Sequence, residues 1–257
     1  MSVKVGFCYT VFNGEELLEK SIKQIEDNVD LIIICFQIIS NKGEENKGLK
    51  AFLGRFAGKN KVVLVYFTPD LNINTKENER KKHQLMIETA KKNGCSHVVL
   101  GACDHFYEQK QFKNAINFSI NEGYDVTFTK MFTYYKQADW QITPPEDYYM
   151  PFLIKLYKHT EISKNIKYPY LVDPSVKVNT CNRYFLFESE FCVLHHYSMI
   201  RDDIKNKFGN AAASIRWTKE QQEEFINEYE NYSLIDNPGV KYFQGRKIKK
   251  VQNIFNI

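Results

Sequence analysis

Apolar positions in the first 130 residues fall into two alternating patterns. Apolar runs at Val3–Thr10, Leu31–Phe36, Val62–Phe67 and Val98–Leu100 read as short strands, Leu31–Phe36 and Val62–Phe67 as ones covered on both faces. Between them lie segments at helical spacing. Leu18, Ile22 and Ile25 stand at i, i+4 and i+7, one stripe of a helix. Its entry, Asn13-Gly14-Glu15-Glu16, has an amide followed three residues later by a Glu, as in a capping box. Glu77–Lys92 is charged and amphipathic and leads through Asn93-Gly94 into the fourth run, and Val126–Thr129 offers a fifth strand. Strands alternating with helices predict an α/β fold with a mostly parallel sheet.

The texture then changes. Pro144–Pro151 and Tyr168–Pro174 are dense in proline and aromatics, and helical periodicity returns only near Lys219–Tyr229. This irregular C-terminal portion is expected to cover the open end of the sheet and supply loops. The tail Lys241–Lys250 is basic and expected to be solvated. With 257 residues, 43% apolar and 14% aromatic, the chain fits one large domain or one domain with an extension. The net charge of +4 suits an anionic ligand without specifying nucleic acid. The six cysteines (8, 35, 95, 103, 181, 192) form no CxxC pair, and several sit inside apolar runs. That usage points to a reducing, cytoplasmic chain without disulfides or a zinc knuckle. The first residues enter a strand directly, so no signal peptide is expected. No apolar stretch approaches the ~18 residues that a bilayer crossing needs.

Several chemistries lose support. No GxGxxG follows the first strand, and neither GxxxxGK[ST] nor GxSxG occurs, which argues against dinucleotide oxidoreductases, P-loop enzymes and α/β-hydrolases. What remains is Asp104, just after the fourth apolar run in Gly101–Tyr107, and the distant pair His195-His196. An Asp is a poor strand residue and costly to bury unpaired. Either it caps the next helix, or it stands in the strand-end crevice where open α/β sheets bind ligands. A divalent cation carrying a diphosphate needs only one or two carboxylates and an imidazole. A helix cap and a structural histidine would leave the same trace in the sequence.

From Val3 to about Ala212 the chain resembles family 2-type glycosyltransferases of the GT-A fold, most of all a bacterial and phage-type branch. Val11-Phe12-Asn13-Gly14-Glu15 is similar to the family's nucleotide-binding first turn. Asn78-Glu79 with Lys82 and Ala90, then Asn93–His97, resembles the helix and turn that deliver its metal-binding strand. Ala102–Tyr107 stands where relatives carry an Asp-Cys-Asp-Glu-Phe-Tyr form of the DxD motif. Pro144–Tyr149, Val172-Asp173-Pro174 and His195-His196-Tyr197-Ser198-x-x-Arg201-x-Asp203 match later blocks in order. Two departures stand out: Ala102 replaces the first acid of DxD, and His105 replaces an acid just after it.

The resemblance implies a GT-A-like domain over residues 1–215, followed at 216–257 by a C-terminal helix and basic tail. It implies transfer of a sugar from a UDP- or GDP-sugar to an acceptor hydroxyl, assisted by Mn²⁺ or Mg²⁺ and inverting. Asp104 and His196 become the expected metal ligands, since alternation on an extended segment lets one of the two histidines reach the metal. Thr10, Phe12, Glu15, Gln37, Lys82 and Arg201 are the expected nucleotide-side residues. Gln37 stands where many relatives have a base-reading Asp, and its amide can still pair with a base edge. Asp147 is the first candidate for the general base, with Glu146 and Asp173 as alternatives; capping of a helix starting at Tyr148 is the plain reading of the Glu146-Asp147 pair. The acceptor is left open among glycan, lipid-linked sugar, small molecule and modified nucleic acid. The competing functions are a non-catalytic nucleotide- or sugar-binding protein with a degenerate GT-A site, supported by Ala102, and a nucleotidyltransferase-like enzyme, for which the single Gly14 gives no Gly-rich first loop.

Overall fold

The computed structural model describes residues 3–211 and 217–257. The four apolar runs become β1 (Val5–Val11), β2 (Leu31–Phe36), β3 (Val62–Tyr66) and β4 (His97–Ala102). Connecting them are α1 (Glu15–Ile25), α2 (Leu49–Leu53) and α3 (Thr75–Lys92). β1 pairs in parallel with both β2 and β4, and β2 with β3. Successive residues of these strands enter opposite cores, which is why the runs have no polar alternation. Phe7, Tyr9, Ile32 and Ile34 join Leu18, Ile22 and Ile25 of α1 on one face. Cys8, Ile33, Cys35 and Leu100 join Met86, Ile87 and Ala90 of α3 on the other. Gly101 allows β4 to lie this close, because a Cβ there would stand 2.7 Å from the Phe7 ring.

Next come β5 (His105–Phe106), α4 (Gln109–Asn121) and β6 (Val126–Tyr135), then β7 (Trp140–Thr143), β8 (Tyr149–Lys155), β9 (Tyr184–Leu186) and β10 (Val193–Met199). α5 (Ile204–Asn210), α6 (Lys219–Asn231) and β11 (Lys247–Lys250) complete the chain. The sheet order is β11-β7-β6-β8-β4-β1-β2-β3. A parallel half flanked by helices, continued by an antiparallel β8 between β4 and β6, is the α/β class expected from the sequence.

Four local expectations change. The fifth strand is ten residues long and reaches β4 only through β8. Gly14, not Asn13, caps α1, with φ 87° and no side-chain bond, so the capping box is not made; the Asn13 side chain instead faces Asn206. Residues after Asp147 form a strand rather than a helix, since Met150–Ile154 is an apolar run that completes the sheet. The basic tail is not simply solvated: β11 pairs with β7 and buries Ile248 between exposed lysines, an edge-strand pattern. The expected division between residues 215 and 216 lies outside the described residues. Among the described residues, no helix is long and apolar enough to cross a membrane.

Candidate functional site

Parallel strands place their C-terminal ends along one crevice. Thr10 near the end of β1, Gln37 just past β2 and Asp104 just past β4 all line a cavity of about 210 Å³ there. Phe12, Lys82 and Arg201 line the same space. Gln37 is buried; its Nε2 donates to the Ile39 carbonyl at 2.9 Å, while its Oε1 has no partner in the protein. A buried carbonyl oxygen without a donor is costly, so this wall is suited to receive an N–H from a ligand.

Asp104 is the centre of charge. Its carboxylate accepts from Arg201, whose second terminal nitrogen donates to the Tyr197 and Ile200 carbonyls at 2.9 Å each. Side-chain exposure is 3% for Arg201 and 7% for Asp104. Burial alone would raise the Asp104 pKa, but Arg201, His196, Lys207 and His105 outweigh it and hold the carboxyl well below its ordinary range. Gly14 makes room for the pair: a Cβ there would stand 2.9 Å from the guanidinium, on a backbone already at positive φ.

The two histidines around Asp104 are brought together by sheet pairing. β5 runs antiparallel to β10 with His105 opposite His196, so residues 91 positions apart become cross-strand neighbours with ring centroids 5.1 Å apart. Each Nε2 lies 3.9 Å from an Asp104 oxygen. His195 points to the other face, where its Nδ1 bonds the Tyr134 hydroxyl at 2.7 Å. Burial pushes His196 down to about 3 and lowers His105 despite the carboxylate beside it. Both rings are therefore neutral, the state in which imidazole binds metal. One ligand atom from each of Asp104, His105 and His196 lies within 4.8 Å of the others, a little wider than donors on a common ion. Arg201 holds one Asp104 oxygen and the other faces His105. This donor set fits a divalent cation, with His105 added to the two ligands expected.

Behind the histidines opens a second cavity of about 350 Å³, lined by His105, His196, Glu146, Asp173, Tyr148 and Tyr242 among others. Glu146 accepts from the Thr133 hydroxyl at 2.8 Å, and burial raises its pKa. Asp173 accepts from the Ser175 N–H at 2.8 Å, closing a turn. Glu79 lines both cavities and accepts from Lys82 at 2.9 Å and Asn41 at 2.7 Å. Two expected residues stand elsewhere. Asp147 lines neither cavity; its side chain is 90% exposed and pairs with Arg246 at 3.0 Å. Glu15 lines a neighbouring acidic cavity and accepts from Asn46 at 3.1 Å.

Sequence reasoning missed Lys207 and Tyr242. Lys207 lines the strand-end cavity from α5, and burial with the nearby Arg201 lowers its pKa. Glu79 stands out in the sequence only as part of a motif, yet its spacing of three from Lys82 places both on one helix face.

No family model and no curated protein matches this chain. Among solved structures it is similar to S. aureus TarS. For TarS 1-349 the identity is 10%, covering 91% of this chain and 74% of that one, with a TM-score of 0.49. For its complex with UDP-GlcNAc the identity is 12%, the shares 91% and 75%, and the TM-score 0.48. For its complex with UDP the values are 10%, 91%, 74% and 0.46.

Proposed function

We propose that this chain is a glycosyltransferase that moves a sugar from a nucleoside-diphosphate donor to an acceptor hydroxyl. One observation carries the reading. The Asp104–His105–His196 cluster sits where two cavities meet, one lined by cations and the orphan Gln37 amide, the other by Glu146 and Asp173. In this reading the nucleotide occupies the strand-end cavity, with Gln37 against the base and Phe12 as an apolar wall. The diphosphate lies by Asp104, and its sugar projects into the second cavity.

The acceptor oxygen attacks the anomeric carbon as the bond from that carbon to the β-phosphate oxygen breaks, and the electron pair leaves with the nucleoside diphosphate. A carboxylate takes the acceptor proton. Glu146 is better placed than Asp147, because it faces the cavity and its raised pKa makes it a stronger base; Asp173 is the alternative on the same wall. A divalent cation held by Asp104, His105 and His196 would supply Lewis-acid stabilisation of the leaving diphosphate. Two imidazoles favour Mn²⁺ over Mg²⁺.

The competing reading is a binding protein without turnover, favoured by the Arg201 guanidinium that already engages Asp104. Donor hydrolysis and transfer, followed over a panel of UDP- and GDP-sugars that includes UDP-GlcNAc, with and without Mn²⁺, separates the two. Release of UDP or GDP that depends on Glu146 supports the transferase. Tight nucleotide binding with no turnover of any donor supports the binding protein, and no binding of any donor or nucleotide defeats both.

A further inference from the structure

Three cationic side chains, Lys82, Arg201 and Lys207, converge on the strand-end cavity. Two already have counter-charges: Lys82 is held by Glu79 at 2.9 Å, and Arg201 by Asp104. Among the described residues, the Lys207 ammonium has neither a hydrogen-bond acceptor nor an ion pair, although Arg201, Asp104, Cys103 and Glu79 all act on it electrostatically. Lys207 is half-buried and shares the cavity wall with the Arg201 guanidinium; two like charges facing one space repel, and the arrangement makes physical sense if an anion lies between them. α5 fixes the lysine in place, since Asp203 caps its first turn through the Asn206 N–H at 2.9 Å. Ala102 supplies no first carboxylate at the sheet end, and the two acids that do line the cavity, Asp104 and Glu79, are already paired with Arg201 and Lys82.

We infer that Lys207 is a ligand of the donor's diphosphate, and that together with Arg201 it lets the cavity hold a nucleoside diphosphate without any metal ion. The inference rests on the transferase reading of the site and adds a residue and a mode of binding to it. It separates two tasks: the cations retain the pyrophosphate group, and the carboxylate–imidazole cluster is left to act on the bond that breaks.

The test is calorimetry in chelator with the full chain, using uridine, UDP, guanosine, GDP and inorganic pyrophosphate as probes. Wild type is expected to bind one nucleoside diphosphate at least ~10-fold more tightly than its nucleoside, the effect of one to two charge-assisted hydrogen bonds. Lys207→Met should lose that difference while keeping the nucleoside's affinity, and Lys207→Arg should restore most of it. A purely structural role for Lys207 would change nucleoside and diphosphate affinities alike. If wild type binds the diphosphate only when Mn²⁺ is added, or if Lys207→Met keeps the full difference, the inference is overturned and the transferase reading stands. If UDP and GDP do not bind even with Mn²⁺, both fall. Tight pyrophosphate binding with no preference for either nucleotide also overturns it, since the cavity would then be a general polyphosphate site.

Discussion

Replacing Arg201 by Gln tests whether the Asp104–Arg201 pair organises the site. With side-chain exposures of 3% and 7%, water cannot replace the lost guanidinium. Removing one partner of a buried pair costs about 3–5 kcal/mol. Lys207 remains near Asp104, so some compensation survives and the lower end, about 3 kcal/mol, is expected. For a chain of this length that corresponds to a fall in Tm of roughly 6–12 °C. The measurement is urea unfolding at pH 7 in chelator of wild type, Arg201→Gln, Asp104→Asn and the double variant. Asp104→Asn strands a buried guanidinium and should cost a similar amount. The double variant removes both charges, so it should be more stable than the sum of the singles predicts by about 1.5 kcal/mol or more. Additivity within about 0.5 kcal/mol, or an Arg201→Gln protein as stable as wild type, refutes the reasoning.

Glu146→Gln should lower transfer at least ~100-fold with nucleotide affinity unchanged, whereas Asp147→Asn should stay within about threefold of wild type; steady-state rates and calorimetry on both variants check this. His97 is pushed down to about 4 by burial and the nearby Lys155, against about 6.5 when unfolded. The unfolded chain therefore takes up its proton first, and this contribution to stability is full above pH 6.5 and is lost as pH falls towards 4. Between pH 7 and 5 the loss is about 2 kcal/mol, and unfolding curves of His97→Gln should show a correspondingly shallower decline. Gly101→Ala should destabilise by about 1–3 kcal/mol through overlap with the Phe7 ring, and adding Phe7→Leu should recover part of the loss in the same unfolding assay.

The parallel half of the fold was legible because β1, β2 and β4 are buried on both faces and written as apolar runs, with α1 and α3 marked by their stripes; β3, equally apolar in sequence, is instead a half-buried edge strand. The second half was obscure for a physical reason. β6 to β10 mix antiparallel pairs with β9 and β10 running parallel to β6, in a stretch rich in prolines and aromatics, and much of their pairing is set by distant partners. The Asp104–His196 proximity was anticipated from a resemblance of motifs, but no residue pattern marks His105 as standing opposite His196; only the β5–β10 register shows it. The choice of Asp147 over Glu146 followed a motif, whereas facing direction depends on how the loop before β8 turns. Lys207 carries no pattern of its own: one lysine on a short helix is ordinary until the cavity wall is in view.

The two cavities are completed at different times as the chain is made. Every described residue lining the strand-end cavity lies at or before Ala211, whereas the second cavity takes Tyr242 and Phe243 from near the C-terminal end. Phe243 also packs with Tyr135, Tyr229 and Ile248 in the cluster that ties the last segment to β6 and β11. Since a ribosome delivers the N-terminal part first, a nascent chain has all the described residues of the strand-end cavity before it has those of the second cavity. A transcript cut short after residue 240 would yield a protein with the former and not the latter, its aromatic seam open to water and to chaperones. Closure of the second cavity and burial of that aromatic cluster thus depend on one shared side chain, Phe243.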